Sequence, residues 1–216
     1  MNKRGTVCTA LGLLLLLAAL LLTAYNLRRD AAAGTSAEAV LERLNPGLPR
    51  QESAPLLPSG EETADALVPD YVLDPETPMP EREIDGQQYI GVLDIPALGL
   101  SLPIISTWSY TGLQIAPCRY AGSAYLDSLV IAGHNYQSHF ASLPQLQPGD
   151  AITFTDMDGN AFCYEVSALE TLSPYAIADM TGGGWALTLF TCTPGGQSRL
   201  AIRCSRSCTS SRRSTS

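Results

Sequence analysis

Leu187-Thr-Leu-Phe-Thr-Cys-Thr-Pro-Gly-Gly-Gln-Ser-Arg-Leu-Ala-Ile-Arg203 is the stretch of sequence that decides the fold. Residues 186–191 are apolar or β-prone and predict a buried strand, and a second short strand begins near residue 200. Turn residues at 193–198 separate the two strands. If the strands pair as an antiparallel hairpin, Cys192 and Arg199 are the facing residues that close it, with Cβ atoms about 4.5–5.5 Å apart. Local geometry therefore predicts a thiol beside a permanent cation.

This pair has a use in nucleophilic catalysis. The thiolate of Cys192 would be the nucleophile, and a nearby positive charge favours its formation. The Arg199 guanidinium stays charged and could stabilise negative charge on a substrate carbonyl oxygen. A general acid–base is also needed, usually a histidine. Of the two histidines, His134 follows an apolar run that ends in glycine, which is a plausible catalytic placement. His139 has no comparable context and is interpreted as structural.

Several segments in order resemble those of a known family. Thr188-Leu-Phe-Thr-Cys192 is similar to the Thr-Leu-x-Thr-Cys signature of sortases, the cysteine transpeptidases of Gram-positive bacterial surfaces. Gly133-His134-Asn135 resembles their catalytic-histidine segment, and Arg199 stands where their catalytic arginine follows the cysteine. The flanking segments 91–104 and 149–156 agree, so the resemblance covers about residues 89–204.

The resemblance implies an activity and the role of each residue. Cys192 would attack a Leu-Pro-x-Thr-Gly-like sorting signal of a surface protein, His134 would act as general acid–base, and Arg199 would stabilise the oxyanion. An amine of a peptidoglycan precursor or a pilin would then resolve the thioester. Asn135 and Thr191 are expected to support the site. No cofactor and no metal are implied, and the single N-terminal anchor favours class B or a related class.

The chain begins with a candidate membrane anchor. Residues 7–25 carry no charge, are dominated by leucine, and are long enough to cross a bilayer. A cleaved signal peptide is the alternative, with 31–33 as the cleavage site, but the arginines just before it are a poor context. Residues 1–29 are therefore predicted to be a short stub and an uncleaved anchor. Basic residues flank the apolar segment on both sides and do not fix its orientation. The sortase resemblance implies that the stub is cytoplasmic and that the protein lies in the cell membrane, single-pass, with its catalytic domain outside the cell.

Three further segments follow the anchor. Residues 30–87 hold many acids and prolines and predict a disordered, extended linker, with two helical turns possible at 37–44. Residues 88–204 contain seven or eight short strand candidates and little helix, which predicts an all-β fold, either a closed antiparallel barrel or a sandwich. The sortase resemblance selects the closed eight-stranded antiparallel barrel, with one or two short helices. Residues 205–216 form a basic tail rich in serine and arginine.

The six cysteines raise the question of disulfides and zinc. Cys118, Cys163 and Cys204 are interpreted as small buried residues, and Cys8 as an inert residue of the apolar segment. Cys204 and Cys208 are the closest pair in sequence. The chain has no Cys-x-x-Cys pair and no histidine pair at ligand spacing, which disfavours a structural zinc site.

The charge of the chain limits its partners. The net charge is −8, and both the linker and the predicted catalytic domain are acidic, which disfavours nucleic acid as a partner. Arg203, Arg206, Arg212 and Arg213 near the C-terminus could bind anionic wall polymer or lipid, although a solvated tail is the simpler interpretation. Two alternatives to a sortase stay open: a thiol endopeptidase with water as acceptor, and a non-catalytic barrel that binds wall components.

Overall fold

A computed structural model describes residues 3–44 and 69–207 of the chain. The central part of the predicted linker, 45–68, and most of the predicted basic tail, 208–216, lie outside the described residues, and so do Cys208, Arg212 and Arg213. The predictions about those segments therefore stay predictions.

Strands dominate the part of the chain after residue 80. The strands are β1 Arg82–Ile84, β2 Gln87–Ile95, β3 Leu100–Ile105, β4 Cys118–Ala121, β5 Leu129–Ala132, β6 Ala151–Asp156, β7 Ala161–Leu172, β8 Leu187–Cys192 and β9 Arg199–Arg206. The α-helices are α1 Lys3–Leu44, α2 Asp70–Leu73 and α3 Ile177–Thr181, and short 3₁₀ helices cover Pro96–Leu98, Gly112–Gln114 and Leu143–Gln145.

The strands close into a barrel. Their order is β2-β3-β4-β5-β8-β9-β7-β6, and β6 pairs back with β2, so eight strands form a closed ring. Most neighbours are antiparallel, but β3 pairs with β4 and β5 pairs with β8 in parallel. The predicted closed eight-stranded barrel is confirmed, with mixed strand directions. Strand β7 already runs in the direction of β5, and the β7–β8 connection, which contains α3, crosses back so that β8 starts in that same direction and pairs with β5 in parallel.

The barrel starts earlier in the sequence than predicted. Strand β1 begins at Arg82 rather than near residue 88 and pairs with the start of β2. Asp85 and Gly86 connect the two strands, with φ angles of 50° and 77°. Two consecutive residues with positive φ form the tight turn that matches the twist of a hairpin, and an Asp-Gly pair favours it. The acidic residues of this region favoured the prediction of a disordered linker, so the short strand β1 was not predicted.

The barrel interior is apolar because alternate residues of each strand point inward. In β7, Phe162, Tyr164 and Val166 are buried, whereas Cys163 and Glu165 on the opposite face are exposed. The interpretation of Cys163 as a buried cysteine is therefore wrong. Burial of each large apolar side chain contributes about 1.5–3 kcal/mol to stability. The largest buried core side chains include Ile90, Leu93, Ile104, Leu129, Phe140, Phe154 and Phe162.

Helix α1 continues well beyond the predicted anchor. It runs from Lys3 to Leu44, so the first part of the predicted linker is helical, including the turns expected at 37–44. Ala33, Ala37, Val40 and Leu44 are buried and recur every three or four residues, which puts them on one face of the helix. Val40 and Leu44 pack in a cluster with residues of the barrel wall that include Tyr89, Ile105 and Met157. Tertiary packing of this face stabilises a segment whose acidic residues had suggested disorder.

Candidate active site

Two adjacent parallel strands bring Cys192 and His134 to the same edge of the barrel. Ala132 of β5 lies opposite Phe190 of β8, and the backbone N–H of Gly133 donates to the Phe190 carbonyl at 3.0 Å. Neighbouring parallel strands run in the same direction about 4.8 Å apart, so residues equally far beyond a facing pair lie at the same end of the strands. Two residues beyond that pair, His134 follows β5 and Cys192 ends β8. The strand register thus brings the two residues to the same end of the strand pair, and both line one cleft.

The hairpin of β8 and β9 adds the arginine. Cys192 and Arg199 are partners in the antiparallel register, as the sequence predicts. The connecting loop is closed by the Thr193 N–H, which donates to the Ser198 carbonyl at 3.0 Å, and its turn uses positive φ angles at Gly195 and Gly196. Nη1 of Arg199 donates to two carbonyls of this loop at 3.1–3.2 Å. No described residue accepts a hydrogen bond from its Nε or Nη2, so these donors remain available to an oxyanion.

His134 lies where the backbone comes very close to a ring. A Cβ on Gly133 would lie 2.3 Å from the Phe140 side chain, so glycine is required before the histidine. The Phe140 N–H donates to the His134 carbonyl at 3.2 Å, and the Tyr136 ring lies 4.7 Å from the imidazole. Burial, followed by the charge of Arg29, lowers the pKa of His134 below its usual 6.5. The imidazole is therefore mostly neutral at pH 7 and can accept a proton.

A cleft of about 280 Å³ opens beside these three residues. Its walls are mainly apolar and aromatic, which suits a peptide side chain more than a charged group. The residues that line it besides Cys192, His134 and Arg199 include Trp108, Tyr110, Leu113, Tyr120, Pro174, Ile177, Met180, Phe190 and Thr191. The aromatic residues at 108–120 were not among the predicted site residues. Their clustering was the signal, but nothing in the sequence placed this segment next to β8.

Arg203 supports one wall of the cleft. It is only 2% exposed and bonds to Glu170 at 2.9 Å, to the Thr188 hydroxyl, and to the carbonyls of Asp179 and Met180. It therefore fixes α3, the helix that carries Met180 into the cleft. Arg203 is a strand residue of β9, as the predicted second strand of the hairpin implied, so its grouping with the arginines of a solvated tail is wrong. Arg206, the last residue of β9, pairs with Asp127.

The two supporting residues have different surroundings. Thr191 is buried, lines the cleft, and its hydroxyl has no hydrogen-bond partner among the described residues. Asn135 is exposed and lines a separate cavity beside α1 rather than the cleft. His139 is fully buried, which agrees with its structural interpretation.

The remaining described cysteines are free and unlike Cys192 in their surroundings. Cys118 and Cys204 are buried, and burial raises the pKa of their thiols to about 11 and about 12. Cys163 is exposed on the outer face of β7, and Cys8 is exposed on α1. Residues 3–44 and 69–207 contain no group of three or more His, Cys, Asp or Glu residues that could hold a metal ion.

A comparison with protein families and curated proteins bears on this geometry. The family model described as the sortase domain matches residues 93–207, just over half of the chain. No curated protein matches the sequence.

Solved structures with the same fold are numerous. A sortase C1 from Streptococcus agalactiae is 28% identical, with a TM-score of 0.51, over 59% of this chain and 72% of that one. A Streptococcus pneumoniae sortase C, described in connection with pilin substrate specificity, is 25% identical, with a TM-score of 0.51, over 56% of this chain and 67% of that one. A Clostridium perfringens sortase C, 20% identical with a TM-score of 0.51, covers 61% and 74% and supports the fold alone.

Proposed function

The chain belongs to the sortase family, and from that membership we propose that it is a cysteine transpeptidase with Cys192, His134 and Arg199 as its catalytic residues. The observation that carries this proposal is the convergence of three strands, β5, β8 and β9, which bring these three side chains to one cleft. A binding module would not need a thiol, an imidazole and a guanidinium together.

The first half of the proposed reaction forms a thioester. The Cys192 thiol gives its proton to neutral His134, and the resulting thiolate attacks the scissile carbonyl carbon of the sorting signal, whose carbonyl oxygen becomes negatively charged. N–H groups of Arg199 stabilise this oxyanion. When the C–N bond breaks, protonated His134 gives its proton to the departing amine. The acyl group then remains on sulfur and the imidazole is neutral.

The second half reverses these roles. The incoming amine attacks the thioester carbonyl, neutral His134 accepts a proton from its nitrogen, and Cys192 leaves as a thiolate. The lowered pKa of His134 favours this acceptor role at neutral pH. The Thr191 hydroxyl, buried in the cleft wall without a partner among the described residues, would donate to a substrate carbonyl.

For the substrate, we propose a Leu-Pro-x-Thr-Gly-like sorting signal on a surface protein or pilin. The apolar cleft supports a substrate with aliphatic side chains next to the scissile bond. The sequence favoured class B or a related class, but the similar structures named above are of sortase C proteins, and one of them is described together with pilin substrate specificity. We therefore propose a pilin or wall amine as acceptor, and we do not carry the class B expectation forward.

We also propose that α1 anchors the protein in the membrane, with the barrel outside the cell. The helix is long and apolar enough to cross a bilayer, with a mean hydropathy of 2.6 over its most apolar window. That window is not buried against any described part of the chain. Its leucines would otherwise expose a large apolar surface to water.

Intact mass spectrometry of the full-length protein in detergent tests the proposed function. Mixed with sorting-signal peptides, the wild type should gain the mass of the acyl fragment, and Cys192→Ala should not. Cys163→Ala is the matched control, since Cys163 is an exposed thiol on the outer face of the barrel. An added amine should convert the adduct to ligated peptide. Release of free acid alone would indicate an endopeptidase, and the absence of any adduct would contradict the proposal.

A further inference from the structure

Helix α1 forms hydrogen bonds with the barrel at the histidine side of the cleft. The helix has no break between its apolar part and this contact. Asp30 lies five residues after Tyr25, the last residue of the uncharged segment, which is about 8 Å along the helix axis. The catalytic edge of the barrel is therefore held next to the end of the apolar segment, rather than at the far end of a flexible linker.

The contact is made by one carboxylate and a tight turn. Asp30 accepts hydrogen bonds from the backbone N–H groups of Gln137 and Ser138, both at 3.1 Å. The Ser138 hydroxyl lies 2.8 Å from Asp30 Oδ1 and 3.1 Å from its carbonyl oxygen. Gly34, one turn further along α1, lets the Ser138 side chain approach, since a Cβ there would lie 3.1 Å from that of Ser138. Three donors thus converge on a single charged acceptor, an arrangement stronger than neutral hydrogen bonds.

The turn that Asp30 binds is continuous with His134. The Tyr136 carbonyl accepts from the N–H groups of His139 and Ala141, both at 3.0 Å, which fixes the turn itself. The Tyr136 ring lies between the two imidazoles, 4.7 Å from His134 and 5.5 Å from His139. Any displacement of the turn would therefore move a ring that contacts the His134 imidazole.

The pKa shifts of Asp30 and His134 agree with the contact between α1 and the turn at 136–138. Partial burial opposes ionisation of Asp30, but the hydrogen bonds from Ser138 and Gln137 outweigh it, and the pKa of Asp30 falls below its usual range. Asp30 is therefore ionised whenever the site is active. Arg29, the preceding residue, carries the charge that lowers the pKa of His134. Two neighbouring residues of α1 thus act on the histidine side of the cleft: Asp30 binds the turn at 136–138, and Arg29 carries the charge that acts on His134.

Building on the proposed function, we propose that Asp30 is a positioning residue for His134, and that the segment of α1 just after the apolar part belongs to the catalytic unit. Asp30 holds the turn at 136–138 and, through Tyr136, keeps the imidazole beside Cys192. It does not touch the reacting atoms.

The test uses the full-length protein in lipid nanodiscs and three variants. Asp30→Ala removes the three hydrogen bonds to the carboxylate, whereas Asp30→Asn keeps the Oδ1 acceptor of Ser138 and loses the charge. Glu38→Ala is the matched control, because Glu38 is an exposed carboxylate on the same helix with no hydrogen bond to a described residue. Asp30→Ala should lower kcat on the order of tenfold to a hundredfold, with KM within about twofold. Asp30→Asn should be intermediate, and Glu38→Ala should resemble the wild type.

A second readout separates positioning from general stability. The chain has two histidines, so side-chain NMR of histidine-labelled protein gives two resolved imidazoles. In Asp30→Ala the His134 signals should shift or double while the thermal midpoint stays that of Glu38→Ala. Unchanged kcat and unchanged His134 signals would overturn the proposal, and so would a kcat loss matched by a fall in thermal stability. If Asp30→Ala does not fold, Asp30→Asn decides by the same criteria.

The two proposals can fail separately. If the wild type forms no adduct with any sorting peptide, the proposed function fails, and the His134 signals alone still decide the role of Asp30. If the wild type turns over and the Asp30 variants match it in kcat and in NMR signals, the positioning role fails while the proposed function stands.

Discussion

The two sides of the cleft are held in place by different means. Cys192 and Arg199 belong to β8 and β9, which pair without a gap from Leu187 opposite Cys204 to Cys192 opposite Arg199. His134 lies in a loop, and its support comes from the Phe140 ring and, through the next turn, from α1. The nucleophile thus depends on local strand pairing, whereas the histidine depends on contacts that are remote in sequence. Substitutions on the hairpin side should therefore reduce activity alone, whereas substitutions on the histidine side should reduce activity and stability together.

On the hairpin side, the largest expected effect is a loss of chemistry without a loss of stability. Arg199→Lys keeps the charge but loses the planar set of N–H donors that could reach an oxyanion. We expect kcat/KM for peptide ligation to fall on the order of a hundredfold, with an unchanged thermal midpoint. Arg43→Lys is the control, because Arg43 forms an exposed ion pair with Asp85 on the far part of α1. Activity of Arg199→Lys close to the wild type would remove Arg199 from the proposed mechanism.

On the histidine side, Gly133→Ala should reduce stability and activity together. The new methyl group would overlap the Phe140 ring, at 2.3 Å, and overpacking of this kind costs about 1–3 kcal/mol. Chemical denaturation and ligation rates of the same samples measure both effects. The double variant Gly133→Ala/Phe140→Leu should lose less than the sum of the two single variants, since the smaller side chain relieves the overlap. If the losses of stability are additive, the close approach of residue 133 to the Phe140 ring does not determine stability.

The same contrast explains what could be predicted from the sequence. The facing of Cys192 and Arg199 follows from a six-residue loop, and the position of His134 follows from an apolar run that ends in glycine. These are short-range patterns. The Asp30 contact joins residues that are 107 and 108 positions apart, and nothing local to either end predicts it.

Composition also misled the prediction in particular places. The buried face of α1, with Ala33, Ala37 and Val40, is spaced as a helix, but the acids and prolines that follow suggested disorder. Arg203 was assigned to a basic tail because of its neighbours in sequence, yet β9 buries it beside α3. Cys163 was expected to be buried, although the alternation along β7 already put it on the outer face. In each case the contacts of the folded chain decided the environment more than the average composition of the segment did.

The smallest expected effect concerns the pH dependence of stability, and it tests whether the His139 ring on the histidine side is held as a neutral group by packing. His139 is fully buried, and its ring nitrogens make no well-formed hydrogen bond to a described residue, although the Ile115 backbone and the charge of Asp30 favour its protonated form. Burial, followed by the charge of His134, lowers its pKa to about 4. The unfolded chain binds a proton near pH 6.5 and the folded chain does not, so stability falls as the pH drops from 6.5 towards 4.

This contribution of His139 should reach about 1 kcal/mol between pH 6.5 and 5.5. His139→Phe fills a similar space without a titratable group, so it should fold at least as stably as the wild type at pH 5.5 and show a shallower loss of stability below pH 6.5. Part of the slope should remain, because the pKa of His134 is also lowered. Urea denaturation of both proteins at pH 7.0, 6.5, 6.0 and 5.5 measures the difference. Parallel curves would mean that His139 is protonated or hydrogen-bonded in the folded protein, and that packing alone does not hold its ring on the histidine side.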